Sequence, residues 1–383
     1  MGHSVIIIGS GLAGYAVARE LRRLTVDQPV ILLSADHAGF YSKPMLSNAL
    51  TTGKTPESII NSDAEKMAAQ LNITIRSNTH VTGIDKANRS ILLANQEQLL
   101  YSKLVLAIGA DQVRLPFQGS GADKILTVND VDDYRHFRDV LIDKKKVAII
   151  GAGLIGCEFA NDLASAGYQV DVIDIAAQPL GRLLPPEAGA YLKKKLEAVG
   201  VVFHLDAKTQ CVEQTDDRLC LVLASGEKIT ADIVLSSVGL TPRIKMAQEA
   251  GLSVNRGIVV DQMLQSSDEY IYALGDCAEV CGKVLPFVMP ITHAARALAA
   301  TLAGNPTAVK YPAMPVLVKT PACPTIVSPP EAGSAGKWQV EQDEDGVKAL
   351  FLDDSGGLLG FALLGKATQE KNDLVAKLPS VLD

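Results

Sequence analysis

The chain is poor in aromatic residues and has no long run of uncharged apolar residues, although it contains 383 residues and only 5% of them are aromatic. A membrane-spanning helix needs about 20 consecutive apolar residues, so the sequence predicts no membrane span. No basic segment precedes the first apolar stretch, and we therefore expect no secretory signal and a cytoplasmic location. The formal charge of −7 argues against a general nucleic-acid binder.

Cysteine is scarce and unevenly placed. The six cysteines contain no C-x-x-C pair, so the sequence indicates neither a zinc site nor a thioredoxin-like motif. The first of them is Cys157, so the first third of the chain carries no thiol. Any chemistry located there has to proceed without a cysteine.

Glycine is abundant, and two of its groupings follow one pattern. Residues 5–14 read VIIIGSGLAG and residues 147–156 read VAIIGAGLIG, so an apolar strand runs into G-x-G-x-x-G and then into a helical pattern in both. The three glycines permit a tight turn, a close approach to a pyrophosphate and tight helix–strand packing. Two bound dinucleotides are therefore predicted. The predicted loop residues are Gly9, Ser10, Gly11, Leu12, Ala13 and Gly14 in the first stretch, and Gly151, Gly153, Leu154, Ile155 and Gly156 in the second.

An acidic residue about 20 positions after such a motif usually binds ribose hydroxyls. The candidate after the first motif is Asp36, although Ser34 occupies the tighter position. Asp174 is the candidate after the second motif, at the end of the predicted strand 170–173. A carboxylate there accepts hydrogen bonds from a 2′-hydroxyl and repels a 2′-phosphate, so NADH is favoured over NADPH. The nearby Arg182 weakens that preference.

The order of apolar segments predicts an α/β protein with two Rossmann-like dinucleotide-binding domains and a small α/β C-terminal domain. We expect a discontinuous first domain at 1–111 and 243–310, a second domain at 112–242 and a C-terminal cap or interface domain at 311–383. Segments 74–76 and 91–94 are predicted to form a meander inserted in the first domain.

Three further motifs give the chain a family resemblance. They are LAIGA at 106–110, VGLTP at 238–242 and YALGD at 272–276. In this order, with the two glycine motifs, the chain resembles the FAD-dependent pyridine-nucleotide-disulfide oxidoreductase superfamily. The resemblance implies a glutathione-reductase-like fold, non-covalent FAD in the first site and NAD(H) in the second. It also implies that Asp276 and Gly109 contact FAD and that Gly239 contacts NAD.

One departure from that superfamily concerns the electron path. Disulfide reductases carry a C-x-x-x-x-C pair after the first βαβ half, whereas residues 41–47 here read YSKPMLS. Electrons must then pass directly from flavin to an external acceptor. Segments 41–47, 151–163, 254–261 and 319–324 resemble the rubredoxin reductases of bacterial alkane-hydroxylation systems. This resemblance implies hydride transfer from NADH to FAD and single-electron transfer to two rubredoxins.

The same resemblance suggests which side chains surround the flavin. Glu158 lies on the inward face of its predicted helix, where a buried carboxylate needs a partner. We expect Lys43 to be that partner, at the reactive nitrogen of the flavin, with Lys319 near the pyrimidine end of the ring. Val81 resembles the segment that meets adenine, and Val288 resembles the segment over the flavin.

Two other functions remain open at this point. One is a related enzyme, an NADH-dependent ferredoxin reductase or an NADH oxidase; the other is a flavoprotein module whose redox state switches partner binding. The short C-terminal domain favours a monomer or a weak dimer. An acidic rubredoxin would need a local basic patch near Lys43 and Lys319, because the whole chain is acidic.

Overall fold

The computed structural model describes residues 3–383, and its strands fall into three main sheets and three small ones. In chain order the strands of this range are β1 (Ser4–Ile8), β2 (Val30–Leu33), β3 (Thr74–Arg76), β4 (Val81–Asp85), β5 (Ser90–Leu93), β6 (Gln98–Leu106), β7 (Ala110–Gln112), β8 (Lys146–Ile150), β9 (Gln169–Ile173), β10 (Val201–His204), β11 (Thr209–Thr215), β12 (Arg218–Leu223), β13 (Lys228–Ala231), β14 (Ile233–Ser236), β15 (Leu240–Pro242), β16 (Ile258–Val260), β17 (Ile271–Ala273), β18 (Ala278–Val280), β19 (Val316–Val318), β20 (Thr325–Ser328), β21 (Lys337–Gln342), β22 (Gly346–Leu352) and β23 (Leu358–Gly365).

The helices lie between these strands in the chain. Over the described residues they are α1 (Leu12–Leu24), α2 (Pro56–Ile59), α3 (Ala64–Leu71), α4 (Val131–Val140), α5 (Leu154–Ser165), α6 (Pro186–Glu197), α7 (Lys245–Glu249), α8 (Val288–Leu302) and α9 (Lys371–Val375). Short 3-10 segments cover Lys43–Asn48, Ala122–Lys124, Gly275–Cys277 and Lys366–Glu370. None of the helices in residues 3–383 combines the length and the apolar character needed to cross a membrane.

The first main sheet has the strand order β3-β2-β1-β6-β5-β4, with β17 pairing with β6. Strands β1, β2, β6 and β17 pair in parallel, and β1, β2, β17 and the last three residues of β6 are almost entirely apolar and buried, as expected for a sheet covered on both faces. The prediction that 74–76 belongs to a meander is wrong, because β3 pairs in parallel with β2. Only β4, β5 and β6 form the antiparallel meander.

The second main sheet is parallel, with the order β10-β9-β8-β14, and it is accompanied by the antiparallel sheet β11-β12-β13. The third main sheet is antiparallel, with the order β19-β20-β23-β22-β21, and α9 follows its last strand. Two Rossmann-like units and a small C-terminal unit confirm the predicted fold class.

A pair of short strands joins the two Rossmann-like units, since β7 pairs antiparallel with β15. One apolar core includes β1, β6 and α1 together with Ile271 and Leu298 of the later chain. A second core includes β8 and α5 together with Leu46 and Val318. Helix α5 therefore lies where the second sheet, the third sheet and the 3-10 segment Lys43–Asn48 meet.

Candidate active site

The first glycine motif forms a turn in which two glycines are required sterically. Gly9 has a φ of +113°, and a Cβ on it would lie 2.2 Å from the carbonyl oxygen of Ala107. A Cβ on Gly14 would lie 1.9 Å from the carbonyl oxygen of Gly9. A Cβ on Gly11 would meet no atom within 4 Å, so this glycine faces open space. That space is where a phosphate can approach the backbone.

The second motif repeats this geometry closely. Gly151 has a φ of +108°, and a Cβ on it would lie 2.6 Å from the carbonyl oxygen of Ser237. A Cβ on Gly156 would lie 1.9 Å from the carbonyl oxygen of Gly151, whereas a Cβ on Gly153 would meet nothing within 4 Å. The chain therefore builds the same open turn twice.

Both turns lead into helices whose N-termini offer unpaired backbone donors. Gly11 precedes α1 and Gly153 precedes α5, neither helix start receives a side-chain cap, and neither first turn contains an acid. Ser10, Leu12 and Ala13 flank the first of these starts and Leu154 and Ile155 flank the second. Unpaired N–H groups and the positive end of the helix dipole bind anions. The residues present therefore fit the pyrophosphates of two dinucleotides.

The two predicted ribose-binding acids both lie against their glycine turns. Asp36 accepts hydrogen bonds from the Ser34 hydroxyl (2.6 Å) and from the Ala38 backbone N–H (2.8 Å), and Ser34 shares a 2.6 Å bond with Ser10. Asp174 accepts from the N–H groups of Ala152 and Ala176, the latter at 2.8 Å. Each carboxylate is thus oriented by the backbone while retaining further acceptor capacity.

Lys43 and Asp276 are close enough to influence each other's charge, and Asp276 follows Gly275, which lies against Ala13 of the first turn. Burial lowers the pKa of Lys43, with Asp276 opposing the shift, and burial raises the pKa of Asp276, with Lys43 opposing it. The Lys43 ammonium donates to Asn129 Oδ1 at 2.7 Å, and Asn129 donates to the carbonyl of Ala110 at 3.0 Å. Ala110, which follows Gly109, is thereby connected to Lys43 through Asn129.

Glu158 is a buried acid held by donors from two other segments of the chain. It is 1% exposed, accepts from the Ser47 hydroxyl at 2.6 Å and from the Lys319 backbone N–H at 2.9 Å, and forms an ion pair with the Lys319 ammonium. The prediction that Lys43 is its partner is wrong. Lys43 and Ser47 lie four residues apart in one 3-10 segment, so they point to different sides of it.

The remaining predicted residues lie at the ends of strands and helices or in open turns. Val81 is the first residue of β4 and is half-buried. Val288 is the first residue of α8 and is 44% exposed. Gly109 and Gly239 both have positive φ and face open space, the first after β6 and the second before β15. Their contacts with nucleotides stay predictions.

Sequence reasoning missed several side chains that complete the site. Ser47 and Asn129 hold Glu158 and Lys43, and Asn161 and Asp162 extend the polar face of α5. The usable signal for the latter two was a polar stripe at 158, 161 and 162 within an otherwise apolar helix. Ser47 and Asn129 had no such signal, because single polar loop residues are common.

No cysteine lies on the segment that holds Lys43. All six cysteines are free thiols, and burial raises the pKa of Cys157, Cys277 and Cys323. The site thus contains paired dinucleotide turns, a buried carboxylate bound to lysine and no thiol on that segment.

Comparison with known proteins agrees with this site. Residues 3–300 match the pyridine nucleotide-disulphide oxidoreductase model, and residues 308–378 match a model described as a rubredoxin binding C-terminal domain. The chain belongs to the pyridine nucleotide-disulphide oxidoreductase family. It is an oxidoreductase whose cofactors are FAD and NAD(H).

Its relatives include two curated bacterial enzymes that match along their whole lengths. The chain is 46% identical to the rubredoxin-NAD(+) reductase of Alcanivorax borkumensis, covering 99% of this chain and 100% of that one. It is 47% identical to the enzyme of the same name from Acinetobacter baylyi, covering 98% of each. Among solved structures, the ferredoxin reductase for the CYP199A2 system of Rhodopseudomonas palustris is 28% identical, with a TM-score of 0.89, covering 100% of this chain and 96% of that one.

Proposed function

We propose that this protein is a rubredoxin reductase in which one NADH and two oxidised rubredoxins give NAD⁺, a proton and two reduced rubredoxins. The observation that carries the proposal is the match of residues 308–378 to a rubredoxin-binding domain in a chain that also contains two dinucleotide turns. The absence of cysteine from segment 41–47 supports direct transfer to an iron protein, because no thiol there can receive the electrons.

FAD, when bound, accepts a hydride as one electron pair and releases the electrons singly. The chain's own residues bind and orient. The turns at Gly11 and Gly153 hold the pyrophosphates, and Asp36 and Asp174 accept hydrogen bonds from ribose hydroxyls. Holding the two nucleotides in one geometry makes the transfer effectively unimolecular.

Two lysine side chains, each facing an acid, adjust the flavin-side cleft in this proposal. Lys43 supplies one cation, which interacts electrostatically with Asp276, and Lys319 supplies a second cation whose position is fixed by Glu158. Cations fixed before the reaction stabilise negative charge that develops on a reduced ring without reorganising at that moment. Val81 and Val288 act through their main-chain groups, and Gly109 and Gly239 through open backbone.

The three-domain division is also our proposal, with limits at 1–111 and 243–310, 112–242, and 311–383. It is supported by a core in which β1 and β6 pack with residues of the later chain, and by the β7–β15 pair between the two parallel sheets. We propose a cytoplasmic monomer or weak dimer; six free thiols support a reducing compartment. Service to alkane hydroxylation rests on the resemblance described above.

The experiment is anaerobic stopped-flow mixing of the NADH-reduced holoenzyme with oxidised rubredoxin. We expect two rubredoxins reduced per NADH at catalytic rates, and an encounter that weakens with ionic strength. A two-iron ferredoxin is the matched alternative acceptor, because a ferredoxin reductase is among the similar structures. Faster transfer to ferredoxin, or reoxidation by oxygen alone at an equal rate, would refute the rubredoxin assignment.

A further inference from the structure

Helix α5 carries three polar side chains on one buried face. Glu158, Asn161 and Asp162 are each 1% exposed and are spaced so that they share one side of the helix. Burying a carboxylate without partners is costly, so each of these groups must be held by specific donors. Glu158 belongs to the flavin-side cluster already described, whereas Asp162 lies one turn further from the glycine motif.

Asp162 binds the end of the segment that carries Lys43. Its Oδ2 accepts from the backbone N–H of Leu50 at 3.0 Å, and its Oδ1 accepts from the backbone N–H of Thr51 at 2.9 Å and from the Thr51 hydroxyl at 2.5 Å. Two successive backbone donors bound by one carboxylate fix both the position and the orientation of that stretch of chain.

Asn161 binds the opposite segment from the same helix face. Its Oδ1 accepts from the backbone N–H of Ala322 at 3.0 Å, three residues after Lys319. Helix α5 thus holds the Lys43 segment through Ser47 and Thr51, and the Lys319 segment through Ala322. The N-terminus of this helix is the second dinucleotide turn, about 14 Å from residue 162 at 1.5 Å per residue.

We propose that Asp162 is a positioning residue for hydride transfer. By fixing Leu50 and Thr51 to α5, it sets the flavin-side segment carrying Lys43 against the helix whose N-terminus holds NAD(H). Asp162 touches neither nucleotide turn, so its effect is on the relative placement of the two reactants. This inference rests on the proposed function, because it assumes that the two clefts hold the two reacting nucleotides.

The test is Asp162→Asn in the holoenzyme, with flavin reduction by NADH followed anaerobically in a stopped-flow instrument. The amide keeps one acceptor oxygen and turns an N–H₂ toward a backbone donor. We expect the limiting rate of flavin reduction to fall about tenfold, since small misplacements of reactants cost about that much or more. The NADH concentration for half-saturation and the flavin content should change less than about twofold.

Asp232→Asn is the matched control. Asp232 also accepts from two successive backbone N–H groups, those of Lys145 and Lys146, both at 2.9 Å. It lies at the start of β8, whereas the glycine turn follows the end of that strand. We expect Asp232→Asn to lower thermal stability while leaving the limiting reduction rate unchanged.

A second pair of variants tests the proposal if the Asp162→Asn protein does not fold. Thr51 is exposed, so Thr51→Val removes one hydrogen bond to Asp162 with little risk to the fold, and we expect about a threefold slower reduction. Thr51→Ser keeps the hydroxyl and should restore the parent rate. Thr51→Val at the parent rate overturns the proposal, as does Asp162→Asn that folds and reduces at the parent rate. Flavin reduction requires no acceptor, so failure of the parent enzyme to reduce rubredoxin refutes the proposed function separately.

Discussion

The ion pair between Glu158 and Lys319 gives a prediction that distinguishes two possible lysine partners. Removing the carboxylate in Glu158→Ala leaves the Ser47 hydroxyl and the Lys319 backbone N–H without their acceptor. Each buried donor left without an acceptor lowers the free energy of unfolding by about 1 kcal/mol or more. Lys319 is 23% exposed, so its ammonium reaches water and loses about another 1 kcal/mol rather than the cost of full burial. The expected total is about 3 kcal/mol.

The assay is a double-mutant cycle read by the thermal midpoint of the holoenzyme. We expect Glu158→Gln and Lys319→Met to be coupled by about 1–2 kcal/mol, because each removes half of one partly buried pair. At about 1–2 °C per kcal/mol for a chain of this length, the double variant should melt about 1–4 °C above the additive expectation. The matched cycle of Glu158→Gln with Lys43→Met should be additive, because Lys43 donates to Asn129 instead.

The outcome that contradicts this reasoning is coupling in the second cycle and additivity in the first. It would mean that Lys43 rather than Lys319 neutralises the buried carboxylate. A kinetic measurement accompanies the cycle, since Glu158→Ala should impair flavin reduction more than it impairs retention of FAD. Equal loss of both would make Glu158 a residue of the fold alone.

Three further outcomes are expected. Gly156→Ala should destabilise the protein by about 3 kcal/mol or more in thermal melting, because its Cβ would lie 1.9 Å from a carbonyl oxygen. Gly153→Ala should melt normally, because its Cβ would meet no atom within 4 Å, but it should raise KM for NADH about tenfold or more in steady-state kinetics. Asp174→Asn should reduce the preference for NADH over NADPH about tenfold in kcat/KM, because the amide no longer repels a 2′-phosphate. Burial raises the pKa of Asp276 above its ordinary value of 3.8, so the ionised carboxylate destabilises the apoprotein at pH values above 3.8. Asp276→Asn should therefore raise the melting point of the apoprotein at pH 7, and the gain should shrink as the pH falls toward 3.8. The same variant should bind FAD more weakly in a titration.

The parts of the fold that could be predicted from sequence were those set by short-range pattern. Strand β9 covers Gln169–Ile173, in agreement with the strand predicted at 170–173, and both glycine turns have the conformation that their spacing requires. The segment Thr74–Arg76 was assigned to the wrong part of the sheet. A three-residue strand has no periodicity that distinguishes a parallel partner from an antiparallel one, and its pairing with β2 is decided by tertiary packing.

The site could be predicted only partly, for a related reason. The resemblance suggested that Glu158, Lys43 and Lys319 lie near the flavin, but the choice of ion-pair partner depended on which way a 3-10 segment faces. Lys319 is 161 residues away from Glu158 in the chain, and nothing local to either residue encodes their contact. The network around Asp162 has the same character, since two of its three donors are backbone N–H groups, which every residue type except proline supplies.

The position of the first acid in α5 satisfies two opposing requirements. The helix start must stay free of negative charge if its N–H groups are to bind a pyrophosphate, and its first turn contains no acid. Lys319 nevertheless needs a buried carboxylate on the same helix as its partner. Glu158 follows immediately after the first turn, close enough to reach Lys319 yet outside the turn where a carboxylate would compete with the phosphate. Shifting the acid toward the N-terminus should therefore weaken NADH binding even if the ion pair with lysine were kept.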